Sequence, residues 1–310
     1  MSPRRRHLAL AALLLAGCFH GVDVTSQGQD TTTTATAADT SSGTTAADAS
    51  SSTGTSSTTA AATTGDPAEA TALRITKLSI VDPHIYYVLD GQNCVDTTAL
   101  LNSAGIQNYI DDGDSNLVFI FSPLDPTASS TPARFAKAAC NLGGTTTCAP
   151  SKDYQAADLS AENLSAGVCS TVLDGSLNPS YAVDGAPNIA SAPCFHTPPF
   201  DLELPLTPQL PNLPLRQVQV SAHYTTSDED ASLVAGSIRG YLRASDALQV
   251  AGELVGQPFD VWGTVAGGNG CQIDPNMPID DTDPNPIAGD ADLGAWLYLN
   301  FEAQPVIWLE

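Results

Sequence analysis

The stretch Phe200-Asp201-Leu202-Glu203-Leu204-Pro205-Leu206 alternates without a break. Phe200, Leu202, Leu204 and Leu206 fall on one side of an extended chain; Asp201, Glu203 and Pro205 fall on the other. Successive side chains of a strand point to opposite faces, so the pattern predicts a half-buried strand, and the proline suits an edge. The same period recurs downstream. Val218, Val220, Ala222 and Tyr224 oppose Gln217, Gln219, Ser221 and His223, and Leu297, Leu299, Phe301 and Ala303 oppose Trp296, Tyr298, Asn300 and Glu302. The run Leu117–Phe121 is apolar throughout and reads as a strand buried on both faces. Stretches 73–89, 233–242, 259–265 and 306–309 are strand-like too.

Helical spacing is confined to 97–110, with Asp96 or Thr97 as the cap, and to a shorter run at 132–142. Between 145 and 199 the chain is turn-rich and studded with cysteines, which predicts a disulfide-held loop insertion. Many short strands separated by Pro and Gly predict a mainly β domain over 71–310, β-sandwich or jelly-roll-like, with one or two short helices.

The residues ahead of this domain have a different character. From 25 to 65 the chain is nearly all Ser, Thr, Ala, Gly and Asp, with no aromatic residue. Such a segment cannot bury a core and is expected to be a disordered stalk. The chain opens MSPRRRHLALAALLLAGC. Arg4, Arg5 and Arg6 form a positive region, and the apolar run Leu8–Leu15 is too short to span a bilayer, which is the pattern of a signal peptide. Leu15-Ala16-Gly17-Cys18 resembles the lipobox of bacterial lipoproteins. The resemblance implies a signal peptide at 1–17, a lipid on Cys18, a stalk over 18–70 and attachment to the membrane through that lipid. Phe19, standing where an Asp would favour retention in the inner membrane, implies the outer membrane. Lipobox, Ser/Thr/Ala-rich stalk and cysteine-bearing β domain together resemble the surface lipoproteins of large-genome Gram-negative bacteria, a resemblance that implies location without activity.

Acidic residues outnumber basic ones 34 to 11, giving a net charge of −23. A surface of that sign repels nucleic acid and is not expected to bind it. Six cysteines remain besides Cys18: Cys94, Cys140, Cys148, Cys169, Cys194 and Cys271. An even set without CxxC spacing in an exported chain reads as disulfides. Proximity in sequence favours Cys140 with Cys148; Cys169 with Cys194 and Cys94 with Cys271 would then follow.

Two acidic phrases carry the nearest approach to a metal motif. In IDDTDPN, Asp281, Asp283 and Asn285 stand at positions one, three and five of a loop that reaches Asp292 at position twelve. That spacing resembles an EF-hand calcium loop, but Pro286 occupies the place of the glycine that makes the sharp turn. In IDDGDSN, Asp112, Asp114 and Asn116 match the first three positions and nothing matches the last. Either phrase is also readable as an acidic turn, the first as a helix-to-strand turn with Gly113 in the unusual conformation.

GxSxG, SxxK, HExxH and phosphate-loop motifs are absent from the sequence. Trp296 and Tyr298 share one strand face and form a candidate sugar-stacking platform, against the alternative of core packing. Arg239, in the apolar stretch GSIRGY, is expected to pair with a carboxylate inside the fold. These features favour a non-enzymatic module that binds a glycan or protein ligand, or supports the envelope surface. The alternative is a secreted hydrolase using carboxylates or a metal.

Overall fold

The structure, a computed structural model, describes residues 70–89, 93–152, 156–178, 185–208, 211–225, 231–254, 257–266, 280–287 and 290–309. All lie within one compact unit, Gly65–Glu310. Cys18 and Cys271, and with them the stalk, the lipid site and the third expected disulfide, fall outside the described residues.

The alternating segments pair into a single sheet that closes on itself. Its strands are β1 (Thr71–Asp82), β4 (Leu117–Phe121), β5 (Ser130–Asn141), β7 (Ala156–Leu164), β8 (Cys194–His196), β10 (Leu213–Tyr224), β11 (Leu233–Arg243) and β14 (Gly294–Trp308). Each pairs antiparallel with the next in that order, and β14 returns to pair with β1. The domain is therefore mainly β, but it is an eight-stranded barrel where a sandwich or jelly roll was expected. Period-two alternation specifies one buried face per strand, and a closed sheet satisfies it as well as two facing sheets do.

Shorter strands decorate the ring. β2 (Tyr86–Leu89) pairs with β3 (Asn93–Asp96), and β12 (Ala251–Leu254) with β13 (Gln257–Asp260). β6 (Thr147–Pro150) folds back on the end of β5, and among the described residues β9 (Phe200–Leu204) pairs only with the first half of β10. The edge position foreseen from Pro205 is thus found. Bulges at Gln217 and Ala235, both at positive φ, interrupt the registers of β10 and β11 and turn these strands around the barrel.

The interior is packed with aromatic rings. Phe119 stacks on Phe301 at 5.4 Å between centroids and tilts against Phe135 at 4.8 Å, while Phe195 contacts Phe121 and Tyr224. Eight strands enclose just the width that such side chains fill. Outward positions carry Lys77, Ser79, Gln219, Ser221, Asn300 and Glu302. Elsewhere the outward side carries two further apolar clusters, Ala72, Val118, Ile120 and Ala138 on β1, β4 and β5, and Tyr241, Trp296 and Tyr298 on β11 and β14. No described helix is long and apolar enough to cross a membrane.

The expected helix at 97–110 is present at 98–111, with Leu101–Ile106 wound as a π-helix. Asp96 accepts the Thr98 N–H at its start. The expected helix at 132–142 is instead strand β5. Its alanines favour a helix in isolation, but Thr131, Ala133 and Phe135 alternate inward while β4 and β7 flank it, so tertiary pairing overrides local preference. The expected loop insertion is shorter than 145–199: its first part supplies β6 and β7, and β7 is a ring strand. Both disulfides within the described residues match expectation, Cys140–Cys148 across the β5–β6 hairpin and Cys169–Cys194.

Candidate functional site

The true insertion is a strap whose described parts, 165–178 after β7 and 185–193 before β8, lie against the outside of the barrel. Its two arms are joined at the base by the Cys169–Cys194 disulfide and by hydrogen bonds from Cys169 N to Ala190 O and from Ala192 N to Gly167 O. Further along, the strap is pinned to the wall. The Tyr298 hydroxyl accepts the Leu173 N–H at 3.2 Å and bonds Ser176 Oγ at 2.5 Å. Asn188 donates its backbone N–H to Asn300 Oδ1 and its side-chain amide to the Gly236 carbonyl, which the bulge at Ala235 precedes.

Between strap and wall lies a cavity of about 270 Å³. The wall contributes the outward residues of four neighbouring strands: His196 from β8, Gln219 and Ser221 from β10, Ser237 and Arg239 from β11, and Tyr298 from β14. The sheet register explains why they meet. Gln219 stands opposite Arg239, which stands opposite Tyr298; one row away, His196, Ser221 and Ser237 stand opposite one another in turn. The strap contributes Ser170, Thr171 and Asn188, among others.

Arg239 departs from expectation. Among the described residues it has no carboxylate partner; its Nη1 donates to the Thr171 carbonyl at 2.9 Å, its Nη2 donates to Gln219 Oε1, and its Nε has no acceptor. Arg216 and Arg243, by contrast, both reach Asp246. Burial pulls the Arg239 guanidinium below its ordinary range, against the opposing influence of the Tyr298 hydroxyl. Its guanidinium carbon lies 5.6 Å from the centre of the Trp296 ring. Ser170 Oγ and Ser221 Oγ also lack partners among the described residues. A buried polar atom left unpaired costs about 1–3 kcal/mol, so three around one cavity call for a physical reason.

The aromatic platform is not an open surface. Trp296 is 9% exposed and Tyr298 1% exposed, packed with Tyr241 beneath Val172, Leu173 and Leu177 of the strap. Alternation placed them correctly on the outward face; nothing local in the sequence shows that a distant segment folds over that face.

The first acidic phrase forms the helix-to-strand turn. Gly113 takes φ 75°, and Asn116 donates to its carbonyl while accepting from buried Arg74 at 2.7 Å. Arg74 also donates to the Ile110 carbonyl, so the phrase satisfies a buried cation. Asp112 and Asp114 sit in the turn, where Asp112 N donates to Asn108 O and Asp114 N to Tyr109 O.

The second phrase is dispersed over separate donors. Asp281 accepts from Asn178 Nδ2, Asp283 from Trp296 N, Asn285 from Ile287 N and Asp292 from Ser245 N. Among the described residues no three His, Cys, Asp or Glu side chains are grouped to hold a metal ion, so the structure does not gather the expected calcium ligands. Asp281 does approach Asp82 at the end of β1, and Asn178 of the strap bonds both. Asp82 is 4% exposed, and its carboxyl is pushed up to about 7, first by burial and further by Asp281 and Asp283. Both carboxylates are buried, and neither lines the cavity.

The chain matches no family model, and no curated protein or solved structure is similar to it. Among the cavity residues, only Arg239, Tyr298 and His196 have side chains that stand out in the sequence. Ser170, Ser221, Ser237, Asn188 and Gln219 are ordinary polar residues whose grouping is a property of sheet register. The one available signal was an arginine set in the apolar stretch GSIRGY.

Proposed function

We propose that this chain is a lipid-anchored, non-enzymatic binding module of the bacterial cell surface, held in the outer membrane through Cys18. The barrel is the scaffold, and the strap-covered cavity on its wall receives a small polar ligand. The observation that carries the binding role is the cavity itself, lined by polar side chains from four strands and by an arginine that has no carboxylate partner among the described residues. A site built on register-locked strands and closed by a disulfide-held strap is organised before its ligand arrives, which lowers the ordering cost of binding. Size decides against a whole protein partner inside the cavity, since about 270 Å³ admits a small molecule or one sugar unit of a glycan.

The anchoring half is tested by fractionating cells that make the wild-type chain or Cys18→Ala. The wild type is expected with the outer membrane, digestible by protease added to intact cells, and Cys18→Ala in the soluble fraction. Identical distribution of the two overturns the anchor. The binding half is tested by Ser221→Phe, which places a ring in the cavity. It is expected to abolish ligand-induced thermal shifts of the purified protein.

A further inference from the structure

The cavity has a chemical sign as well as a size. In a chain of net charge −23, no Asp or Glu lines it among the described residues. Its one permanent charge is Arg239, whose guanidinium has no counter-ion there and whose Nε–H has no acceptor. Ser170 and Ser221 also line it; their hydroxyls lack partners and, as they stand, are shut off from solvent, so each turns about its Cα–Cβ bond to meet a ligand. Hydroxyls can donate to an oxyanion, and an arginine flanked by such donors is a recognised way to hold a carboxylate.

We infer that the cavity binds the carboxylate of a small organic or sugar acid, with Arg239 as counter-ion and Ser170 and Ser221 as hydroxyl donors. This rests on the cavity being the binding site, as proposed above. A single arginine matches a single negative charge. A phosphate dianion would leave an uncompensated charge in a half-buried site on an already acidic protein, which is costly. Neutral acceptors could satisfy the hydroxyls but would leave the guanidinium without its ion. Gln219 and Asn188 can pair with hydroxyl groups carried by the same ligand, which suits a uronic acid better than a bare alkanoate.

The test is titration of the full mature chain in detergent with glucuronate, glucose, acetate, sulfate and phosphate at fixed ionic strength, read by calorimetry and by tryptophan fluorescence. Because Arg239 lies over Trp296, a carboxylate drawn to the guanidinium is expected to change the emission, and Trp296→Phe to remove that change. Glucuronate is expected to bind more tightly than acetate, and glucose not to bind. Arg239→Gln is expected to weaken glucuronate by about tenfold or more, Ser221→Ala by less, and Lys77→Gln, a cation on the exposed wall outside the cavity, not at all. Thermal melts of each variant separate lost binding from lost folding. Tighter binding of sulfate or phosphate overturns the carboxylate assignment. Glucose binding as well as glucuronate, with Arg239→Gln unaffected, overturns the inference while leaving the cavity as a neutral-sugar site. Binding of glucuronate that survives Ser221→Phe overturns both the inference and the cavity reading.

Discussion

The inward and outward faces of β10, β11 and β14 are built from the same strands and obey opposite rules. Inward, Val220, Ile238 and Phe301 are sealed among apolar neighbours with nothing left unsatisfied. Outward on the same strands, Ser221 is buried and Arg239 half-buried, yet polar atoms there lack partners. A face buried for stability fills its space with carbon. The outer face is covered by a strap that leaves a polar void. Burial alone therefore does not separate core from site; the chemistry of what is buried does.

Removing interior volume should have the largest effect. Phe301 is 1% exposed, stacks on Phe119, and lies so close to Gly236 that a Cβ there would meet its ring at 2.5 Å. Phe301→Ala is expected to destabilise the protein by ~3–5 kcal/mol in chemical denaturation, because a closed barrel cannot collapse around the gap. A loss below ~1 kcal/mol would mean that the interior is not the main source of stability, and the contrast between faces would fail.

The inward face was legible in the sequence and the outward one only in part. Alternation at 217–224 and 296–303 sorted nearly every side chain to its correct side, because a strand has only two sides. Closure of the sheet was not legible, since period two is blind to which strand comes next. The strap was foreseen as a disulfide-held insertion, and Cys169–Cys194 was placed correctly, but its path over Trp296 and Tyr298 depends on long-range contacts. The acidic phrases stood out because their letters repeat. Asn116 is engaged in its turn and Asp281, Asp283 and Asp292 accept from separate segments, whereas the site hides in serines that no local pattern marks.

The strap can be loosened or tightened without touching the interior, and Asp82 is the first lever. Its carboxyl is raised to about 7 in the folded chain from the ordinary 3.8. The folded state then holds its proton more tightly than the unfolded state. Stability should fall as pH rises from about 4 to about 7, then level off. Asp82→Asn removes that dependence and keeps an oxygen for the Asn178 N–H. It is expected to leave stability below about pH 4 almost unchanged and to raise it by a few kcal/mol at pH 8. Thermal melts across that range decide the matter, and a wild-type slope that persists in Asp82→Asn would assign it to another group.

The smallest change is the most selective. Tyr298→Phe keeps the ring that packs with Tyr241 and Trp296 but deletes the hydroxyl that ties Ser176 and Leu173 of the strap to β14. Ser176 Oγ retains its bond to the Leu173 carbonyl, so only the bridge to the wall is lost. A global cost of ~1 kcal/mol is expected. The informative readout is local. Hydrogen exchange at 170–178 should accelerate while β4, β5 and β14 stay protected, because the strap opens from a barrel that remains closed. If exchange rises equally in strap and barrel, the two form one cooperative unit, and the cavity between them opens only when the whole fold does.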